Sequence, residues 1–195
     1  MTQRPPRIVL GTGNGHKVVE LTAILGPLLP GVELLRSEGP SPVEDGETFE
    51  ANALIKARAA HASTGLPAIA DDSGVVVDGL GGEPGIFSAR YAGTGSDEDN
   101  RRLVLERLGD AADRSARFVC AAVYVDDEVE VVRTATWEGV ILDAERGTGG
   151  FGYDPVFAPA DGGGRSAAEL TADEKNTISH RGLAFRALVA ALPAV

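Results

Sequence analysis

The chain has 195 residues, 43% hydrophobic and 24% charged, the make-up of an ordinary globular protein long enough to bury a sizeable core. Its 29 acids against 18 bases leave a net charge of −11, which argues against nonspecific binding along a nucleic-acid backbone. A nucleotide stays open, because a few local lysines and arginines with a divalent cation reverse the sign inside a pocket.

Arg7–Leu10 reads as a buried first strand ending at Gly11. Helical spacing then runs through Val18, Leu21, Leu25 and Leu28 over residues 15–29, closed by Pro27 and Pro30. Val32–Leu35 is a short strand and the polar stretch Ser37–Gly46 a loop. Thr48 caps an Ala-rich helix that runs to about Ser63. Strands are expected at Ala68–Ala70 and Val75–Val77, with Asp71-Asp72-Ser73-Gly74 as a turn between them. A Gly-rich loop leads to Ile86–Tyr91, and Ser96 with Asp99 resembles a capping box for a helix stopping at Gly109. Arg117–Val125 and Val129–Ile141, joined by Asp126-Asp127-Glu128, suggest a long antiparallel hairpin. The glycine loop Gly147–Gly152 precedes Tyr153–Phe157. Thr171 with Glu174 forms another capping box, and a last helix spans about Ser179 to Leu192. There is no internal repeat and no linker long enough to separate independent domains. The order is α/β with a mixed sheet.

Cys120 is the single cysteine, so neither an intrachain disulfide nor a cysteine zinc cluster forms, and its strand-like surroundings favour a buried, inert thiol. No apolar run approaches membrane-spanning length, and Ile8-Val9-Leu10 is too short for a signal-peptide core, so the expectation is a cytoplasmic protein with no membrane partner.

Four clusters carry chemistry. Thr12-Gly13-Asn14-Gly15-His16-Lys17 lies between strand and helix, where glycines let backbone N–H groups approach an anion. Its glycine spacing is wrong for a P-loop or a Rossmann turn, which leaves an anion loop of another type or a plain tight turn. Glu44 opens a second cluster, with Asn52 and Lys56 one helical turn apart on one face; a solvated acidic loop is the bland alternative. Magnesium takes oxygen ligands and often only one or two carboxylates, which Glu44 and Asp72 can supply. In the third, Phe151-Gly152-Tyr153-Asp154, aromatic rings alternate with glycine. They either stack on a base or anchor the core, the commoner fate in a chain with six Phe, three Tyr and one Trp. The fourth is Lys175 followed by Ser179-His180-Arg181, basic groups suited to phosphate or a carbonyl oxygen.

Together, in this order, these blocks resemble the inosine/xanthosine triphosphate pyrophosphatase family. Pro84-Gly85-Ile86-Phe87-Ser88-Ala89-Arg90-Tyr91 and Ala168-Glu169-Leu170 add to the match, which covers residues 7 to 192. The resemblance implies an α/β protein with an elongated mixed β-sheet flanked by helices, two lobes with an active cleft between them, and a single two-lobed domain over residues 1–195. It implies a homodimer that performs Mg2+-dependent hydrolysis of dITP, ITP and XTP to the monophosphate and pyrophosphate. Carried over, Asp72 is the general base and a metal ligand, with Glu44 the second metal carboxylate. Thr12, Gly13, Asn14, Gly15, His16, Lys17, Lys56 and Lys175 hold the triphosphate, and Ser73 contacts substrate. Phe151, Gly152, Tyr153, Asp154, His180 and Arg181 enclose the base, with Arg181 the donor toward the oxygen at C6. Two other readings stand beside it: a pyrophosphatase of the septum-inhibition type acting on modified pyrimidine nucleotides, and a nonenzymatic nucleotide-binding module. The acids Asp71, Asp72 and Glu44 favour an enzyme, since a pure binder has little need of them near a phosphate.

Overall fold

The computed structural model describes residues 7–38 and 41–192. Residues 39 and 40 of the expected loop, and the residues ahead of Arg7, lie outside the described residues. The elements are β1 (Arg7–Leu10), α1 (Gly15–Leu28), β2 (Glu33–Arg36), α2 (Phe49–Thr64), β3 (Ala68–Val77), α3 (Asp97–Leu108), β4 (Ser115–Val125), β5 (Glu130–Ile141), β6 (Phe157–Pro159), α4 (Ala172–Ile178) and α5 (His180–Ala191). Short 3₁₀ turns at Asp78–Leu80, Gly85–Arg90, Asp154–Val156 and Ala167–Glu169 fill the connections. Among the described residues the strands form one mixed sheet in the order β2-β1-β3-β4-β5-β6. β1 pairs parallel with β2 and β3, while β5 pairs antiparallel with β6. The mixed α/β class expected from the sequence is the one observed.

One expectation is corrected. The two strands read at Ala68–Ala70 and Val75–Val77 are a single ten-residue strand, β3, and Asp-Asp-Ser-Gly continues it instead of turning. Asp71 and Asp72 are both buried, and each finds a cationic partner from another element, so neither is left to cap its own backbone. The tail follows the expectation: the Thr171 capping box opens a short helix, α4, and the last helix follows as α5.

Local chemistry fixes the helix ends. The Thr48 hydroxyl accepts from the Ala51 amide, and Gly65, at φ +65°, closes α2 in a left-handed cap. The buried face of α2 carries Ala53, Ala57 and Ala60. Such short side chains let the helix lie close to its neighbours; a Cβ on Gly11 would come 3.0 Å from the Lys56 carbonyl oxygen and 3.2 Å from Ala70.

The chain divides into two compact units. The first comprises the chain up to Asp72, Cys120–Ala135 and the segment from Arg181 onward; the second comprises Ser73–Val119 and Thr136–His180. Ile8, Leu10, Leu21, Leu25, Ile69, Phe185 and Leu188 centre the core of the first. Val75, Val77, Val104, Phe118, Trp137, Tyr153 and Phe157 centre that of the second. Among the described residues, no helix is long and apolar enough to cross a membrane.

Candidate active site

In the first unit, β1 delivers the loop 11–17 to the start of α1. The Asn14 side chain caps that helix, its Oδ1 accepting from the amides of His16 at 2.9 Å and Lys17 at 3.3 Å. Thr12 is buried and its hydroxyl accepts from the Asn14 amide. Gly13, Asn14, Gly15 and His16 are exposed. Arg36 donates to the Gly13 carbonyl at 3.2 Å and so pins the loop.

Strand geometry separates the two acids. Successive side chains point to opposite faces, so Asp71 and Asp72 meet different partners. The Lys56 ammonium, on α2, donates to Asp72 Oδ1 at 2.7 Å and to Glu44 Oε2 at 3.1 Å, bringing both carboxylates to one positive centre. Asn52, one turn earlier, accepts the Gly46 amide at 2.9 Å and ties the Glu44 loop to the same helix face. Burial pushes the Asp72 carboxyl above its ordinary value, with Glu44 adding to the rise and Lys56 opposing it. Burial pulls Lys56 down, but Asp72, Asp71 and Glu44 together carry it above the usual lysine value.

On the other face, Asp71 Oδ2 accepts from Lys17 at 3.1 Å and from Arg181 at 3.2 and 3.3 Å. Burial disfavours the Asp71 charge, yet Lys17, Arg181 and Lys56 hold the carboxyl well below the usual carboxylate range. Arg181, which is buried, also pairs with Glu20. The structure therefore places the guanidinium expected to face the base in a network of carboxylates. Cys120 lies in the same interior, fully buried, and its thiol is pushed up by burial.

In the second unit, Lys175 Nζ donates to Asp154 Oδ2 at 2.6 Å and lies 4.9 Å from the centre of the Phe151 ring. The Phe151 amide donates to the same carboxylate oxygen at 2.8 Å. Gly150 makes this possible: at φ +68°, a Cβ there would collide with Asp154. Gly152 is clamped from α3, its carbonyl accepting from Arg101 and its amide donating to Asp97. Of the two aromatics, Tyr153 is a core anchor, 5% exposed with its hydroxyl donating to the Ser88 carbonyl at 2.8 Å. Phe151 is only half-buried. His180 stacks flat on Phe118, with centroids 4.6 Å apart, and at 6.2 Å from Trp137. Ser73 is half-buried and begins this unit.

Glu44, Lys56, Asp72, Lys17 and Arg181 thus fall in the first unit, and Phe151, Asp154, Lys175 and His180 in the second. The supports Phe118, Trp137 and Arg101 were missed from sequence, while Asn52 and Asp71 were noticed there without their supporting contacts. Period-two alternation was the available signal for Asp71, because adjacent strand acids cannot both face one ligand. No group of three or more His, Cys, Asp or Glu side chains that could hold a metal occurs among the described residues. Glu44 and Asp72 suit a hard cation that completes its shell with water and phosphate oxygens, since their oxygens already share one cationic centre.

Comparison with known proteins agrees with this arrangement of elements. A dITP/XTP pyrophosphatase of Leifsonia xyli is 50% identical over 193 residues, covering 97% of this chain and 96% of its own. The structure of a HAM1 protein from Coxiella burnetii superposes with a TM-score of 0.85 at 42% identity, covering 95% of this chain and 98% of that one. A dITP/XTP pyrophosphatase from Mycobacterium abscessus gives 0.74 at 45% identity, over 96% of this chain and all of its own. The Ham1 family profile matches residues 8–191, and the chain belongs to the Ham1 family.

Proposed function

We propose that this chain hydrolyses dITP, ITP and XTP to the monophosphate and pyrophosphate in a Mg2+-dependent reaction. The convergence of Glu44 and Asp72 on Lys56 carries the reading, because it gathers a metal-compatible carboxylate pair and a phosphate-compatible ammonium at one point. The names of the relatives supply the substrate class.

Mg2+ held by Glu44 and Asp72 would offset the charge of the triphosphate and acidify a water at neutral pH. Lys56 and Lys17 bind phosphate oxygens, beside the exposed glycine loop at the start of α1. Asp72 receives the proton of the attacking water. Its Oδ1 is engaged by Lys56, which leaves Oδ2 for the proton. As the new P–O bond forms, the α–β anhydride bond breaks and its electron pair leaves with pyrophosphate.

Base recognition is assigned to the second unit. Phe151 offers a ring face, Asp154 an acceptor and Lys175 a donor for the oxygen at C6 of hypoxanthine or xanthine. Adenine carries an amino group there, so the same lysine meets a donor and the pairing fails.

The test is pyrophosphate release from ITP, XTP, dITP, dGTP and ATP, with and without Mg2+. Metal-dependent release from the first three, well above dGTP and ATP, is expected. Release only from modified pyrimidine triphosphates would move the chain to that substrate class. Binding without release from any of them would leave a nucleotide-binding module.

A further inference from the structure

Asp71 has no part in the reaction just described, yet it is fully buried between the cations of Lys17 and Arg181. Its contacts with Lys17, Arg181 and the Cys120 thiol all run through one oxygen, Oδ2. We propose that Asp71 is a positioning residue that fixes Lys17 and Arg181 for catalysis while touching neither substrate nor metal. The proposal rests on the pyrophosphatase reading above.

The geometry explains the choice of residue. Asp71 is 0% exposed, so no ligand reaches it, and the strand turns it away from the Glu44–Lys56–Asp72 cluster. Lys17 stands in the first turn of α1, directly after the glycine loop, with its side chain 13% exposed. A lysine has a flexible four-carbon stem and three rotatable N–H donors. Committing one donor to a rigid buried carboxylate sets the direction of the other two. Arg181 keeps Glu20 as a second partner, so Asp71 fixes its orientation from the opposite side.

A bystander carboxylate and a positioning one predict opposite signs. Near a lysine that binds a polyanion, a mere negative charge weakens substrate binding, so neutralising it lowers KM. A carboxylate that holds the lysine in place makes its removal lower kcat instead. The experiment measures steady-state pyrophosphate release from ITP by wild type, Asp71→Asn, Lys17→Met and the double variant, with cooperative thermal unfolding as the check of fold. We expect Asp71→Asn to lower kcat by about tenfold or more without lowering KM. In the Lys17→Met background the same change should cost less by a factor of about three or more, because the group it positions is gone. Unchanged kcat with lowered KM, or equal losses in both backgrounds, overturns the proposal. Should Asp71→Asn not fold, Asp71→Glu combined with Cys120→Ala keeps the charge and makes room for the longer chain. That variant should also lose kcat, and wild-type kcat and KM in it overturn the proposal. An inactive wild type would sink the pyrophosphatase reading and this inference with it, whereas an active wild type with multiplicative losses sinks the inference alone.

Discussion

Lys56→Met tests the centre of the first unit most directly. The substitution keeps the length of the side chain and deletes the one cation shared by Glu44 and Asp72. Lys56 and Asp72 are about nine-tenths buried, with side-chain exposures of 10% and 11%, whereas Glu44 at 29% is partly screened by solvent. Breaking a buried pair typically costs 3–5 kcal/mol, and the residual exposure puts this case near the lower end, at about 3 kcal/mol. For a chain of this size that corresponds to a fall in Tm of about 6–12 °C near neutral pH. The pH dependence has a definite sign. Burial and Glu44 already raise the Asp72 carboxyl above its unfolded value of 3.8, and loss of Lys56 raises it further. The folded variant then binds a proton that the unfolded chain releases, so its stability falls as pH rises through the folded value. The deficit is full above the variant's folded value and shrinks on acidification, as Asp72 becomes neutral. Millimolar Mg2+ should restore more of the lost Tm in the variant than it adds to wild type, by supplying the missing cation. Differential scanning calorimetry across pH, with and without Mg2+, measures all three effects. A deficit that is the same at all pH values and insensitive to Mg2+ would refute the shared-cation reasoning.

Three further outcomes are expected. Asp72→Asn should lower kcat for ITP by about 100-fold or more with the thermal transition retained, since proton transfer by a positioned base contributes at that level; near-normal turnover removes Asp72 as the base. Lys175→Met should narrow the ITP-over-ATP ratio of kcat/KM, while Arg181→Ala should lower stability and rate and leave the ratio close to wild type. A collapsed ratio in Arg181→Ala would return base recognition to that guanidinium. Tyr153→Phe loses one buried hydrogen bond, about 1 kcal/mol of stability, and should not alter base preference in the same assay.

What the sequence made legible was local. The caps at Thr48, Ser96 and Thr171 each depend on a side chain meeting an amide three residues away, and such signals survive without tertiary context. A further capping box, Ser166 with Glu169, went unread because it opens only a 3₁₀ turn inside a loop. The Asp-Asp-Ser-Gly stretch shows the opposite case. Its composition speaks for a turn, but Lys17 and Lys56, 54 and 16 residues away, stabilise the two acids as members of a strand. Period-two alternation then distributes them to different partners, a division of labour that residue types alone do not reveal. Tyr153 and Phe151 sit two positions apart in a turn, not a strand, and tertiary contacts alone set their different fates. One ring fills the core, and the other stays half-buried beside Lys175.

The setting of Cys120 gives the molecule an internal clock. Its thiol lies on β4 in the core of the first unit, out of reach of solvent and held in the protonated, unreactive form by burial. A thiol reagent such as iodoacetamide therefore modifies the chain only when that core opens. As this is the single cysteine, the rate of mass gain counts openings of one region without a background from others. Bound nucleotide should slow that clock by favouring the closed core, so alkylation kinetics offer a ligand-binding assay that needs no turnover.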